Sequence, residues 1–292
     1  MTDPIEALIV EESLPADYRD VVERHWTPLA TQIARRAAGR TPLIVGINGA
    51  QGTGKSTVCR FLEILLKKRG LRAVTLSIDD IYLTKAERQQ LAAEVHPLFA
   101  TRGVPGTHAP GLAFDIIEAV LAGRTFEMPR FEKSRDDRAK QGVTISGPVD
   151  VLLFEGWCVG AKPQLEEALA EPVNALEAEE DPDLVWRSLV NMWLGADYAR
   201  LFAQLDMLIM LKVADFDAVR RNRALQEAKL REREPDAPGL MSDEDVQRFL
   251  DLDERLTLHM LDEMPQRADI VIPIGPDQSP IGIGGTSRKG AS

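Results

Sequence analysis

Residues 43–56 read LIVGINGAQGTGKS, and this stretch decides the fold. The run at 43–47 is apolar without polar alternation, which predicts a strand buried on both faces of a parallel sheet. Residues 49–56 fit the pattern GxxxxGK(S/T) at every fixed position. Residues 57–69 predict a helix that stops at Gly70. A buried strand, a glycine-rich turn and a helix, in this order, are the context that a phosphate-binding P-loop requires.

The P-loop glycines let successive backbone N–H groups point at phosphate oxygens, and the following helix adds the positive end of its dipole. Lys55 provides a cation for the β- and γ-phosphates, and the Ser56 hydroxyl is a ligand for Mg²⁺. The alternative, a glycine-rich turn with an exposed lysine, does not account for the flanking strand and helix. We therefore predict an ATP and Mg²⁺ site with nine nucleotide-binding residues: Gly49, Ala50, Gln51, Gly52, Thr53, Gly54, Lys55, Ser56 and Thr57.

The composition excludes several classes of function. The 292 residues carry a net charge of −11, which argues against a nucleic-acid partner because such a partner requires a basic surface. Cys59 and Cys158 are far apart and lack metal-site spacing, which indicates reduced thiols. The acidic N-terminus lacks a signal-peptide pattern, and no apolar run has the length of a membrane span. We expect a cytoplasmic protein without nucleic-acid or membrane partners; its oligomeric state stays open.

Further apolar runs complete an α/β fold. We expect four more strands, alternating with helices, at 74–78, 149–154, 207–213 and 270–274. Such alternation produces a parallel sheet with helices on both faces, and ligands bind at the carboxyl ends of its strands. The prediction is a five-stranded P-loop NTPase-type sheet with inserted substrate and lid elements. We expect an N-terminal helical segment at 1–40, the P-loop domain at 41–275 and a loose tail at 276–292.

Carboxylates follow two of the predicted strands. Asp79 and Asp80 leave the second strand, where one of them is placed to accept the proton of a substrate hydroxyl. The local sequence is equally compatible with two turn-capping residues. Glu155 follows the strand at 149–154, and its position favours an acid that supports Mg²⁺ over a solvated turn residue.

Two polar segments concentrate positive charge. The loop at 102–108 contains Arg102 and His108, and the stretch at 125–147 contains a second group: Arg130, Lys133, Arg135 and Arg138. In an acidic protein such groups can bind an anionic substrate. Solvated loops with ion pairs are the alternative, and the residues alone favour it.

A later helix carries arginines that can cover the phosphates. Its basic residues are Arg220, Arg221, Arg223, Lys229, Arg231 and Arg233. A mobile cover that bears arginines would stabilise transition-state charge and exclude water. We predict this role for Arg223, whereas an exposed charged helix face is the better interpretation of Arg231 and Arg233.

Several motifs, in this order, resemble the plant- and fungal-type D-glycerate 3-kinases and their bacterial relatives. They are the P-loop, SIDDIYLT at 77–84, RGVPGTH at 102–108, PRFEK at 129–133, DDR at 136–138, FEGW at 154–157 and LMSDE at 240–244. These kinases belong to the wider group of phosphoribulokinases, uridine kinases and pantothenate kinases. The resemblance covers roughly residues 42–274. Ala109 departs from it, in place of an expected aspartate, and so does Phe131-Glu132, in place of Tyr-Asp.

The resemblance implies an ATP-dependent kinase that acts on D-glycerate and gives 3-phosphoglycerate. It implies that Asp79 is the general base, that Glu155 helps to hold Mg²⁺ and that Arg223 lies in a lid. We predict six residues of the acceptor site: Asp80, Tyr82, Arg102, His108, Lys133 and Arg138. Of these, Arg102, Lys133 and Arg138 are the candidate partners of the glycerate carboxylate.

Two alternatives remain from the sequence. One is the same chemistry on another small acceptor, such as a nucleoside, pantothenate or a sugar phosphate. The other is a nucleotide-dependent switch or chaperone, in which hydrolysis drives a partner interaction. The chain lacks the Asn-Lys-x-Asp motif of most guanine-nucleotide switches, which counts against that version.

Overall fold

The computed structural model describes residues 3–233, 241–282 and 284–285. Within them the strands are β1 (Leu43–Gly49), β2 (Ala73–Ser77), β3 (Phe126–Met128), β4 (Phe131–Glu132), β5 (Asp137–Arg138), β6 (Val143–Ile145), β7 (Val151–Gly156), β8 (Met207–Lys212), β9 (Ile270–Pro273) and β10 (Gly284–Gly285). The central sheet has the order β10-β9-β8-β1-β7-β2. Its five longer strands are parallel, which confirms the predicted P-loop sheet.

The sixth strand comes from the segment for which we expect a loose tail. β10 pairs antiparallel with β9, so that Gly284 lies opposite Val271 and Gly285 opposite Ile270. Ile274 and Pro280 form a further bridge. The described part of this segment therefore extends the sheet, and residues 286–292 lie outside the described residues.

Helices cover both faces of the sheet. They are α1 (Pro4–Glu11), α2 (Tyr18–Val21), α3 (Thr27–Ala37), α4 (Lys55–Lys67), α5 (Lys85–Glu94), α6 (Pro110–Leu121), α7 (Ala175–Glu180), α8 (Val185–Trp193), α9 (Ala199–Phe202), α10 (Phe216–Arg233) and α11 (Asp243–Glu263). A π-helical turn joins α2 to α3, and another joins α8 to α9. Among the described helices, none combines the length and the apolar character needed to cross a lipid bilayer.

The core lies in two layers because alternate residues of the buried strands point to opposite faces. Val45 and Ile47 of β1 pack in one apolar cluster with α3 and α4, and Ile44 packs in the other. The first cluster also contains Leu8 and Ile9, so α1 shares the core of the sheet. Full burial of such a side chain contributes about 1.5–3 kcal/mol, which attaches the N-terminal segment to the P-loop domain.

The polar stretch at 125–147 contains more order than its sequence suggests. β3 pairs antiparallel with β6, and β4 pairs antiparallel with β5 inside that larger hairpin. The turn between β4 and β5 carries Lys133. This insertion brings the Lys133 side chain to the carboxyl end of β2, although Lys133 lies far from β2 in sequence.

Candidate active site

The P-loop joins β1 to α4, and glycine determines its shape. Gly52 (φ 73°) and Gly54 (φ 79°) have left-handed backbone conformations, which glycine adopts without steric cost. A Cβ atom added to Gly49 would lie 2.6 Å from Thr53 Oγ1, so the turn is tightly closed. No neighbouring heavy atom lies within 4 Å of the corresponding position at Gly54, which caps α4. The open N-terminus of α4 is therefore a cradle that fits phosphate groups.

Lys55 and Ser56 lie at the start of α4, beside Glu155 at the end of β7. Lys55 Nζ donates to the backbone oxygen of Ala50 at 3.1 Å. Burial lowers the pKa of Lys55, and the negative charges of Glu155 and Asp79 oppose this shift. The Ser56 hydroxyl donates to Glu155 Oε1 at 2.8 Å. Burial raises the pKa of Glu155, against the attraction of Lys55.

This pair fits the Mg²⁺ that the sequence implies. A hydroxyl and a carboxylate at hydrogen-bond distance supply oxygen ligands, which Mg²⁺ prefers. The described residues contain no cluster of three or more His, Cys, Asp and Glu side chains that could hold a metal ion. Ser56 and Glu155 would therefore hold the ion together with phosphate oxygens and water, as is usual for Mg²⁺ in nucleotide sites.

Asp79 lies in a 3₁₀ turn (Ile78–Ile81) directly after β2. Its Oδ2 atom is 2.7 Å from Lys133 Nζ. Burial alone would raise the pKa of Asp79, but the charge of Lys133, and then that of Lys55, outweigh it and hold the pKa at about 2. Asp79 is therefore ionised at neutral pH, with one oxygen occupied by Lys133.

Asp80, the adjacent acid, contacts the insertion instead. Its Oδ2 atom accepts from Arg130 at 2.8 Å, and its Oδ1 atom accepts from the backbone N–H of Phe131 at 3.0 Å. Burial raises its pKa, while Phe131 and Arg130 lower it. Asp80 thus anchors the start of β4, and we expect it to act on an acceptor through the position of this hairpin.

Five of the predicted residues share one cavity of about 490 Å³: Ser56, Asp79, Asp80, Lys133 and Glu155. Arg130 also lines this cavity. The phosphate cradle, the proposed base and a cation therefore face one volume that is large enough for a small metabolite.

The other two candidate cations already have partners. Arg102 pairs with Asp136 and lies over the Phe131 ring, 5.4 Å from its centroid. Arg138 lies 3.7 Å from Glu87 and lines a separate cavity of about 400 Å³ beside α6. Of the three candidates, Lys133 alone lines the cavity with Asp79.

Tyr82 and His108 form a buried aromatic pair next to this site. Their ring centroids are 4.4 Å apart and nearly parallel. His108 Nδ1 is 2.7 Å from the Tyr198 hydroxyl, which also accepts from the backbone N–H of Gly106. Burial lowers the pKa of His108 to about 3 against the charge of Asp79, so the ring is neutral. His108 Nε2 has no hydrogen-bond partner among the described residues.

Arg223, predicted to lie in a lid, is held within α10. It lies 2.9 Å from Glu227 and 3.4 Å from Met241 Sδ. The neighbouring Asn222 packs against Gly52, so this part of α10 touches the P-loop. Arg231 pairs with Asp243, in line with its interpretation as a surface residue. The side chains of Lys229 and Arg233 lie outside the described residues.

Known relatives align with most of this chain. The chain is 34% identical over 222 residues to the chloroplastic D-glycerate 3-kinase of Arabidopsis thaliana, a match that covers 72% of this chain and 45% of the plant protein. It is 33% identical over 221 residues to the uncharacterized kinase mug58 of Schizosaccharomyces pombe, and this match covers 72% of the chain and 77% of the relative. The chain belongs to this family of P-loop kinases.

A solved kinase structure has the same fold. The D-glycerate 3-kinase of Cryptococcus neoformans aligns with a TM-score of 0.72 at 23% identity, over 89% of this chain and 97% of that one. No family model matches the chain. The expected membership of the glycerate kinase group is confirmed, and the chain spans about 45% of the length of its plant relative.

In this P-loop kinase, Asp253 of α11 is a site residue that the sequence did not indicate. It is buried, and its Oδ2 atom accepts from Gln51 Nε2 of the P-loop at 2.5 Å. Its Oδ1 atom has no partner among the described residues and would lie 3.1 Å from a Cβ atom at Gly103. Burial, and then the charge of Asp79, raise the pKa of Asp253 well above its usual range. No sequence signal links it to Gln51, because the contact spans 202 residues.

Trp157, in the quoted FEGW motif, holds the loop at 102–108. Its indole N–H donates to the backbone oxygen of Gly103 at 3.0 Å. The backbone N–H of Gly103 in turn donates to Thr107 Oγ1 at 3.1 Å. This kinase therefore fixes its acceptor loop through the segment that also presents Glu155.

Proposed function

We propose that the protein is an ATP-dependent kinase that phosphorylates the primary hydroxyl of D-glycerate and gives 3-phosphoglycerate. The observation that carries this proposal is the pair Asp79 and Lys133, 2.7 Å apart, in one cavity with Ser56 and Glu155. A base and a cation beside a phosphate cradle suit an acceptor that has both a hydroxyl and a negative charge. The plant and fungal relatives with this fold are named D-glycerate 3-kinases, which supports the same acceptor.

The nucleotide has a well-defined set of partners. The backbone N–H groups of residues 49–57 and Lys55 bind the phosphates of ATP. Ser56 and Glu155 would hold Mg²⁺, and the bound ion would supply positive charge that stabilises the phosphates. Lys55 then stabilises the charge that develops on the transferring phosphoryl group, and its fixed position requires no reorganisation.

Asp79 orients the acceptor hydroxyl and accepts its proton. The acceptor oxygen forms a bond to the γ-phosphorus while the bond from phosphorus to the β,γ-bridging oxygen breaks, and ADP leaves. The Asp79 proton then passes to solvent. His108 Nε2 has no partner among the described residues, and the charge of Asp79 acts on this ring, so we propose that Nε2 donates to an acceptor oxygen.

The acceptor carboxylate requires a cation because an unpaired buried carboxylate is costly. Of the three candidate cations, Lys133 is the one that shares the cavity with Asp79, so we propose that it binds this carboxylate. Arg102 and Arg138 are occupied by Asp136 and Glu87, and we assign them to the support of the surrounding loops.

A panel of acceptors tests the proposal. The purified protein is incubated with Mg-ATP and D-glycerate, L-glycerate, glycerol, uridine, pantothenate or ribulose 5-phosphate, and ADP release is measured. We expect rapid turnover with D-glycerate and a product phosphorylated at the primary hydroxyl. Turnover with a nucleoside or sugar phosphate, and none with glycerate, would leave a kinase of different specificity. ADP release that requires a protein partner and no small acceptor would favour the switch or chaperone class.

A further inference from the structure

The proposed base is paired with a cation. Lys133 Nζ lies 2.7 Å from Asp79 Oδ2, and the described residues contain no other ion pair to this carboxylate. A carboxylate held by a cation is a weak base, in keeping with its pKa of about 2, where the charge and hydrogen bond of Lys133, together with the charge of Lys55, outweigh the opposite effect of burial. This ion pair therefore holds the base in a masked form.

The backbone around Lys133 is anchored at two points, whereas the Lys133 side chain is largely exposed. Asp80 anchors one end of the β4–β5 hairpin through Phe131, and Asp136 anchors the turn through Arg88 at 2.9 Å. The Lys133 side chain is 65% exposed, and Asp79 is its only ion-pair partner among the described residues. A lysine ammonium on a four-carbon stem can change partners without backbone movement.

The neighbouring cations differ from Lys133 in this respect. Arg102 and Arg130 pair with Asp136 and Asp80, two carboxylates that hold the hairpin. Their release would therefore disturb the wall of the site. Lys133 is paired with the reacting carboxylate itself, and its release changes the chemistry and leaves the hairpin in place.

We propose that Lys133 makes phosphoryl transfer conditional on an anionic acceptor, because the acceptor's carboxylate draws the ammonium away from Asp79 and frees the base. This inference rests on the proposed function. An anionic acceptor exchanges one carboxylate partner of Lys133 for another, so the ammonium stays paired while Asp79 becomes free to accept a proton. A neutral hydroxyl compound offers no replacement and leaves Asp79 masked. Water is such a neutral acceptor, so the same contact suppresses wasteful hydrolysis of ATP.

The same bonds form and break in the transfer step whether the acceptor is glycerate or water. With glycerate, the hydroxyl proton moves to Asp79, the acceptor oxygen bonds to the γ-phosphorus and ADP departs with the bridging oxygen. With water, the same bonds form and break, and the products are ADP and inorganic phosphate. Only the state of Asp79 at the moment of attack distinguishes the two reactions.

Lys133→Met, Lys133→Arg and a control variant test this inference. ADP release is measured with D-glycerate, with glycerol as the neutral analogue, and without an acceptor. In Lys133→Met we expect kcat/KM for glycerate to fall about 100-fold, because a carboxylate loses its charged partner. We expect glycerol phosphorylation and background hydrolysis to rise about three- to tenfold, because the base becomes stronger. Lys133→Arg should keep the preference for glycerate, and Arg135→Met, on the same exposed turn, should match the wild type.

In Lys133→Met, a lower rate with glycerate together with higher rates of glycerol phosphorylation and ATP hydrolysis would distinguish this role from a structural defect. A structural defect would lower every rate. A uniform loss in Lys133→Met would mean that Lys133 serves the transition state, and unchanged glycerol and hydrolysis rates would mean that it only binds glycerate. Either result overturns the masking. If the wild type does not use glycerate, the proposed function fails, while the hydrolysis rates of wild type and Lys133→Met still test the masking independently of acceptor identity.

Discussion

The phosphate cradle (residues 49–57) and the acceptor wall (Asp79, Tyr82, Arg102, His108 and Lys133) are constructed in different ways. The cradle is one continuous segment, and its binding groups are mainly backbone N–H groups at the start of a helix. The wall combines side chains from three separate segments, held by hydrogen bonds and ion pairs. We therefore expect the cradle to suit any nucleotide kinase, and we expect specificity to reside in the wall, which can change without change in the cradle.

Among the variants, Asp79→Asn is expected to show the largest difference between its effect on turnover and its effect on ATP binding. Loss of the base should reduce kcat about 10²–10⁴-fold, while the Kd for ATP changes little because Asp79 belongs to the wall. Steady-state kinetics and nucleotide binding measure the two effects. Asp80→Asn is the matched neighbour, and we expect it mainly to raise KM for the acceptor, about tenfold or less, by loosening the hairpin. A mild Asp79→Asn beside a severe Asp80→Asn would assign the base to Asp80.

Lys55→Ala tests the cradle side of the comparison. We expect kcat to fall about 10²–10³-fold, because a preorganised charge at the transferring group is lost, together with weaker ATP binding. Thermal unfolding should resemble that of the wild type, since the Lys55 ammonium bonds the backbone oxygen of Ala50 and its removal leaves the apolar side chains of the core unchanged. Lys67→Ala, an exposed residue at the end of the same helix, is the control. Near-normal turnover in folded Lys55→Ala would contradict the P-loop assignment.

Glu155→Gln tests a residue that lies between the cradle and the wall. The amide keeps the shape but removes the charge next to Ser56, so the Mg²⁺ concentration for half-maximal rate should rise about 10–100-fold. Titration of the rate with Mg²⁺ at saturating ATP measures this change. Glu63→Gln, in the same cavity but bonded to Thr75, should leave the titration unchanged. Equal titrations for Glu155→Gln and the wild type would make Glu155 a structural residue.

The smallest effect is expected from Asp253→Asn, which lies between cradle and wall. The pKa of Asp253 is raised in the folded state, so the folded protein binds more protons than the unfolded chain. The stability of the wild type therefore falls as pH rises above the unfolded pKa of about 3.9 towards the higher folded pKa. Asparagine removes this loss, and we expect the free energy of unfolding at pH 7 to increase by about 1–3 kcal/mol. Denaturant unfolding at pH 4 and pH 7 checks the sign; a variant that is less stable at pH 7 would show that the carboxylate itself is required.

The elements that the sequence predicted well are those with a local signal. The strand expected at 74–78 is found at Ala73–Ser77, and the one expected at 149–154 at Val151–Gly156. Ser242 and Asp245 form the capping box that opens α11, and both of its hydrogen bonds are present. In each case neighbouring residues specify the element, so no distant contact is needed.

Other elements were missed for identifiable reasons. β10 consists of two glycines, which carry no side-chain pattern, and it exists because β9 leaves an edge to pair with. The short strands of the insertion alternate too briefly for a periodic signal.

The sequence by itself determined the parallel P-loop sheet, the phosphate cradle and the strand ends that bear Asp79 and Glu155, because each depends on residues adjacent in the chain. Only the tertiary structure decided which cation reaches Asp79, and that Asp253 meets Gln51. Those contacts join residues 54 and 202 positions apart, and no local propensity specifies them. The packing of the insertion and of α11 against the sheet selects the pairs. The charges of Lys133 and Lys55 then hold the pKa of Asp79 low, whereas burial raises the pKa of Asp253.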